Sequence, residues 1–180
     1  MGVFAMKPKK PEAHLQLLVT LFLIFQKMRR EGFMAIERDV EQPRKSTLFT
    51  EIAEFDESNS VIYTVLCDAL RLILSGDQET SRMARYLASA RKTSDLTKKQ
   101  ESLFDAMESS ILAILDGCAP SIAMDYGRQC IPANLKPSFN ELEDYLRSLH
   151  QRKDSLLTRE EIDAILVSFF AGIDGKAGNE

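Results

Sequence analysis

The chain has 180 residues, of which 44% are hydrophobic and 28% charged, and its net charge is −4 at pH 7. That length holds one domain or two small ones, and the ordinary globular balance excludes disorder over the whole chain. The mild acidity argues against a dedicated nucleic-acid binder, and 8 Gly with 6 Pro are too few for a turn-rich sandwich or barrel.

Pro11 and Glu12 suit a first helical turn, and an apolar-rich helix follows to about Arg30. Its longest apolar run, Leu17–Phe25, is nine residues interrupted only by Thr20. A bilayer span takes about 20, and the stretch before the run is long and lacks a small-residue cleavage site, so neither a span nor a signal peptide is expected. The chain as it stands reads as soluble. Gly32 either ends the helix or weakens it, and Phe33–Glu41 is a short helix or a continuation, closed by Pro43. Gln42–Ser46 reads as a linker and Leu48–Phe55 as one or two turns.

Ser60 is a plausible N-cap for a helix over Val61–Leu74, which is apolar around most of its circumference and needs cover on more than one side. Gly76 suits its C-terminal cap. Gln78–Arg91 is weakly helical and basic, and Lys92–Lys99 is the most linker-like stretch. Gln100–Asp116 is amphipathic and ends at Gly117, and Pro120 opens a helix to about Cys130. Ser138-Phe-Asn-Glu141 and Thr158-Arg-Glu-Glu161 are capping boxes for helices to about Arg152 and to near Gly172.

No run shows sustained alternation and no repeat is evident, so the fold class is all-α, a bundle-like packing of about six or seven helices. Residues 11–152 form one helical domain with a linker near 92–99, and residues 153–180 add a C-terminal helix and a frayed tail. Val61–Leu74 and Gln100–Asp116 are expected to pack on the Pro11–Arg30 helix, because those three carry most of the apolar side chains.

The residues offer no support for an enzyme. No phosphate-binding, metalloprotease or nucleophile-elbow motif occurs. Cys67, Cys118 and Cys130 form an odd set with no CxxC, so neither a disulfide framework nor a zinc site is expected, and a reducing compartment is the natural setting. Cys67 reads as a small core residue. His14 and His150 are far apart in the chain, which argues against a histidine metal site or catalytic pair, and no cofactor is expected. Glu141/Glu143 and Glu160/Glu161 are simple helix-start charges. The stretch 27–45 differs. It packs Lys27, Arg29, Arg30, Arg38, Arg44 and Lys45 among Glu31, Glu37, Asp39 and Glu41. That is either an exposed helix laced with i,i+4 pairs or a charged docking face.

The sequence Phe25–Pro43, FQKMRREGFMAIERDVEQP, resembles the cytoplasmic segment after the second membrane helix of the MotA flagellar stator proteins, in the MotA/TolQ/ExbB proton channel family. Leu66–Gly76, LCDALRLILSG, is similar to that family's next cytoplasmic block. Gly117–Arg128, GCAPSIAMDYGR, and Lys136–Asp144, KPSFNELED, resemble its C-terminal signature. The resemblance covers roughly 15–152 and is poor over 76–99. The family has four membrane helices, and the third and fourth would fall in that poorly matched interval, which reads as a polar linker. The resemblance therefore implies the cytoplasmic portion of a stator subunit joined into one cytoplasmic chain, of an inner-membrane family, with no direct membrane span and no nucleic-acid partner.

By position in the motif, the resemblance implies that Arg29 and Glu37 engage the rotor switch protein for flagellum-dependent motility, with Arg30 as a competing candidate. In one continuous helix, eight residues would set Arg29 and Glu37 about 80° apart. Arg38 and Asp39 are expected to matter less. The implied partners of a full-length protein are sibling stator subunits and a plug-bearing subunit. Leu157–Leu166, LTREEIDAIL, is similar to the helical motif of the rotor switch protein that docks the phosphorylated chemotaxis response regulator. Glu161, Ile162, Ile165 and Leu166 would dock that partner, and a response-regulator-binding adaptor is the alternative function. On the residues alone, Ile162, Ile165, Leu166 and Phe169 would instead pack on the bundle.

Overall fold

The computed structural model describes residues 12–53, 58–150 and 167. Among these there are seven α-helices and no strand. The order is α1 Ala13–Glu31, a 3-10 turn Phe33–Ile36, α2 Glu37–Glu41, a 3-10 turn Pro43–Lys45 and a π-helical turn Leu48–Ile52. Then come α3 Ser60–Leu74, α4 Thr80–Thr93, α5 Lys98–Leu115, α6 Pro120–Gln129 and α7 Phe139–His150.

Helix α1 is the axis of the bundle. From Gln16 to Phe25 every residue is buried, and so is Met28. A helix that is apolar on every side must be enclosed. The enclosure comes from α5, α6, α7, the Phe33–Ile36 turn and the π-helical turn. The expected partnership is therefore half right. Helix α5 lies on α1, but the other main helical neighbour is α6, while α3 packs mainly on α2, α4 and α5. Small residues bring α6 tightly onto α5. At Gly127 of α6 an added Cβ would stand 2.1 Å from Ser110 Oγ and 2.5 Å from the Ala106 carbonyl oxygen of α5. Only a bare Cα lets the two backbones approach so closely.

Helix α4 is better formed than its composition suggests. Glu79 caps it by accepting from the Ser81 and Arg82 amides, Met83 and Leu87 are buried, and Arg91 pairs with Asp105 and Glu108 of α5 while lying over the Phe104 ring. The linker is thus only the break between Thr93 and Lys98, closed by a capping box of Thr97 with Gln100 that the sequence reading missed. The box at Ser138 is present: its amide donates to Glu141 Oε2 at 2.8 Å and the Glu141 amide donates to Ser138 Oγ at 3.2 Å. The cap before α3 is Asn59, with Ser60 the first helical residue. The box at Thr158 and the apolar residues beyond it lie outside the described residues.

One polar pair sits inside this core. His14 Nε2 is 2.7 Å from Ser102 Oγ, and the Ser102 hydroxyl donates to the Lys99 carbonyl at 2.9 Å. The serine proton is thereby used, so Nε2 is the donor and Nδ1 is left as a buried acceptor with no partner. Burial, and then the Lys99 charge, hold the imidazole below its ordinary pKa. Burial also pushes the Cys67 thiol up to about 12, as suits a core residue.

Three stability measurements follow from these contacts. Leu70 is fully buried, so Leu70→Ala should cost about 2–5 kcal/mol in chemical denaturation. Gly127→Ala should cost about 1–3 kcal/mol through overpacking, although alanine is the better helix former. For His14, the unfolded chain takes up a proton as pH falls through about 6.5 while the folded chain resists it. Stability is then retained above that pH and lost below it. Thermal melts at about pH 5.5 and about pH 7.5 should differ more for the native chain than for His14→Gln.

Candidate functional site

The charged stretch is divided by a backbone break. Helix α1 stops at Glu31, where Gly32 takes φ 90° and its amide donates to the Met28 carbonyl. Helix α2 starts afresh at Glu37 after the 3-10 turn. Arg29 and Glu37 therefore belong to two elements, and the single-helix reading of their spacing does not hold. Gly32 at this φ is what only glycine adopts without strain.

Helix α2 has five residues and could not stand alone in water. Apolar anchors and a set of polar clamps hold it. Ile36 and Val40 are fully buried. Lys27 Nζ of α1 donates to Asp39 Oδ2 at 2.8 Å, and Ser46 Oγ donates to Asp39 Oδ1 at 2.7 Å. From α3, Arg71 Nη2 donates to the Val40 carbonyl at 2.9 Å, Nε to Glu41 Oε1 at 3.2 Å, and Nη1 to Asp68 at 2.6 Å. Burial opposes the Arg71 charge, but its bonds to Glu41 and Asp68 hold its pKa above the ordinary value.

The charges of 27–45 thus fall into two sets. Lys27, Asp39 and Glu41 are paired, Glu41 while remaining exposed. Arg29, Arg30, Glu31, Glu37, Arg38, Arg44 and Lys45 are exposed and have no ion-pair partner among the described residues. The three rotor-contact candidates all belong to the second set. Asp39, expected to be a lesser surface charge, is instead a clamp of the fold. Beside the free charges stand two apolar side chains that sequence reading passed over, Phe33 at 41% and Met34 at 59% exposure. Arg71 was also missed, because nothing local to its block shows that it reaches a carbonyl 31 residues away. The tail candidates Glu161, Ile162, Ile165 and Leu166 lie outside the described residues. Among the described residues no group of His, Cys, Asp and Glu could hold a metal ion, and no helix is long and apolar enough to cross a membrane.

The sorting has a direct test. Asp39→Ala leaves Lys27 and Ser46 without their acceptor and should cost about 1–3 kcal/mol in chemical denaturation. Glu37→Ala should stay within about 0.5 kcal/mol of the native chain. Equal losses would show that Glu37 is also part of the clamp.

No family model matches the chain, and no solved structure matches it. Two curated proteins do. Motility protein A of Salmonella typhimurium strain LT2 is 21% identical over 225 positions, covering 82% of this chain and 75% of that protein. Motility protein A of Escherichia coli K12 is 21% identical over 224 positions, with the same shares. Each matched stretch is longer than the 180 residues of the whole chain, so both relatives carry inserted sequence without a counterpart here.

Proposed function

The chain is MotA-like, and from that we propose that it is the torque-coupling cytoplasmic part of a flagellar motor stator subunit. Its work is mechanical contact: Arg29, Arg30 and Glu37 meet charged side chains of the rotor switch protein as the rotor passes. The observation that carries this reading is that these three side chains are exposed and unpaired while their neighbours Lys27, Asp39 and Glu41 are paired within the chain. Charges that already serve the fold cannot be lent to a moving partner without cost. Free ones can.

The energetics suit repeated contact. Exposed ion pairs contribute about 0–1 kcal/mol each, so several can form and break as a rotor advances without trapping it. A firm platform is needed for force transmission, and the clamps on α2 supply one. Ion conduction belongs, on this reading, to membrane helices in sequence that the relatives carry and this chain lacks, together with sibling subunits and a plug-bearing partner. The same reading makes the chain a non-enzyme.

The experiment is charge reversal with rescue. Glu37→Lys should reduce binding to the rotor switch protein, or motor torque, while shifting stability by under about 0.5 kcal/mol. An opposite reversal on the rotor should restore part of the loss, because the attraction depends on sign rather than on shape. Native binding should weaken as salt rises, since the Debye length is about 8 Å at physiological ionic strength and shrinks above it. Unchanged binding for a folded Glu37→Lys chain would leave these residues as an ordinary solvated surface.

A further inference from the structure

A cleft of about 390 Å³ opens where α1, α2 and the Pro43–Lys45 turn meet. That is the scale of pockets that enclose small molecules, about 300–1,000 Å³. Asp39 supplies the one carboxylate among its lining residues, and both oxygens are taken, by Lys27 and by Ser46. Lys27 is neutralised in that pair, so Arg38 and Lys45 remain as two uncompensated positive charges on the lining of an acidic protein. Their side chains, the side-chain amide of Gln42 and the hydroxyl of Thr47 make no hydrogen bond among the described residues.

The walls of this cleft are fixed from within the fold. Arg38 and Gln42 stand four residues apart, and the Gln42 backbone amide donates to the Arg38 carbonyl at 3.1 Å, so the two share one side of α2 and its cap. Lys45 and Thr47 flank Ser46, whose hydroxyl is bound to the same Asp39 that Lys27 holds from α1. One buttressed carboxylate thus sets both walls, and a ligand would have little backbone left to order.

We propose that this cleft binds the phosphomonoester group of a small soluble molecule, a site that goes beyond the stator reading and does not rest on it. Charge selects the group. A phosphomonoester carries about −1.5 to −2 charges near pH 7 and three terminal oxygens. Two uncompensated cations match that charge, whereas a carboxylate or a phosphodiester would leave one of them unmet. Donor geometry agrees. The planar fork of Arg38 can span two phosphate oxygens, Lys45 acts as a point charge, and Gln42 and Thr47 supply neutral donors. The backbone contributes little: the Lys45 amide is spent on the Gln42 carbonyl, and the Ser46 amide on the Gln42 and Pro43 carbonyls. Recognition falls to side chains, and so it is open to substitution. Neither Arg29, Arg30 nor Glu37 lines the cleft, so the rotor-contact candidates stay separate from it.

The test is a titration of the full isotope-labelled chain, followed by its amide shifts, with glycerol 3-phosphate, dimethyl phosphate and acetate at matched ionic strength. Cosedimentation with phosphatidylcholine vesicles containing phosphatidic acid tests the same group on a lipid. Glycerol 3-phosphate should move the amides of Arg38, Gln42, Lys45 and Thr47 and saturate. Dimethyl phosphate and acetate, each with a single charge, should bind at least tenfold more weakly. Affinity for glycerol 3-phosphate should fall at least tenfold in Arg38→Ala/Lys45→Ala, with a melting temperature matching the native chain. If that variant does not fold, Lys45→Gln alone should weaken binding at least threefold. Shifts located elsewhere, dimethyl phosphate binding as tightly as the monoester, an unchanged affinity in the variants, or binding confined to the vesicles would each overturn the proposal.

Discussion

The rest of the molecule depends on one helix having no face for water. From Gln16 to Phe25, α1 is buried on all sides, so every other element is placed by the need to cover it. Ten buried residues in a row would favour folding by about 1.5–3 kcal/mol for each large apolar side chain enclosed, and would invite aggregation if uncovered. The cover is assembled from distant parts of the chain: α5, α6, α7, the π-helical turn and the Phe33–Ile36 turn. The compactness of that cover depends on Gly127, because the α5–α6 approach fails once a methyl group is placed there.

The same helix delivers part of the candidate surface. It leaves the core only in its last turn, where Arg29 and Arg30 come into the open while Met28 stays inside. The C-terminal end of a helix carries partial negative charge, so two arginines are well placed there electrostatically as well as sterically. After the glycine break, the 3-10 turn and α2 reuse the logic at smaller scale: Ile36 and Val40 are buried and Glu37 and Arg38 exposed. Buried and exposed side chains are thus divided within the thirteen residues from Met28 to Val40, with each residue's rotation about the backbone deciding its side.

What the sequence made legible was local. The helical periods, the glycine stops at Gly76 and Gly117 and the capping box at Ser138 depend on neighbours within four residues, and all three are seen. What it hid was long-range. The sparse apolar positions of α4 looked weak because Met83 and Leu87 rely on α3 and α5 for cover. Arg71 looked like one more exposed helix charge, and nothing near it in sequence announces a bond to Val40. The candidate site shows the same division. Its three charges stand out in the sequence because the motif that carries them is contiguous. Their sorting into free and clamped depends on the contacts of Asp39 with Lys27, twelve residues before it, and with Ser46, seven after it.

Gly32 carries a consequence of handedness. Its backbone lies at φ 90° and ψ 165°, and an added Cβ would meet nothing within 4 Å. The demand for glycine is therefore one of chirality rather than room. The mirror image of this conformation falls in the extended region that ordinary L residues occupy freely. A D-alanine introduced by chemical synthesis would fit the corner without strain. It would also remove conformational freedom from the unfolded chain, stiffening the joint between α1 and α2 at a point where every natural side chain would bend it.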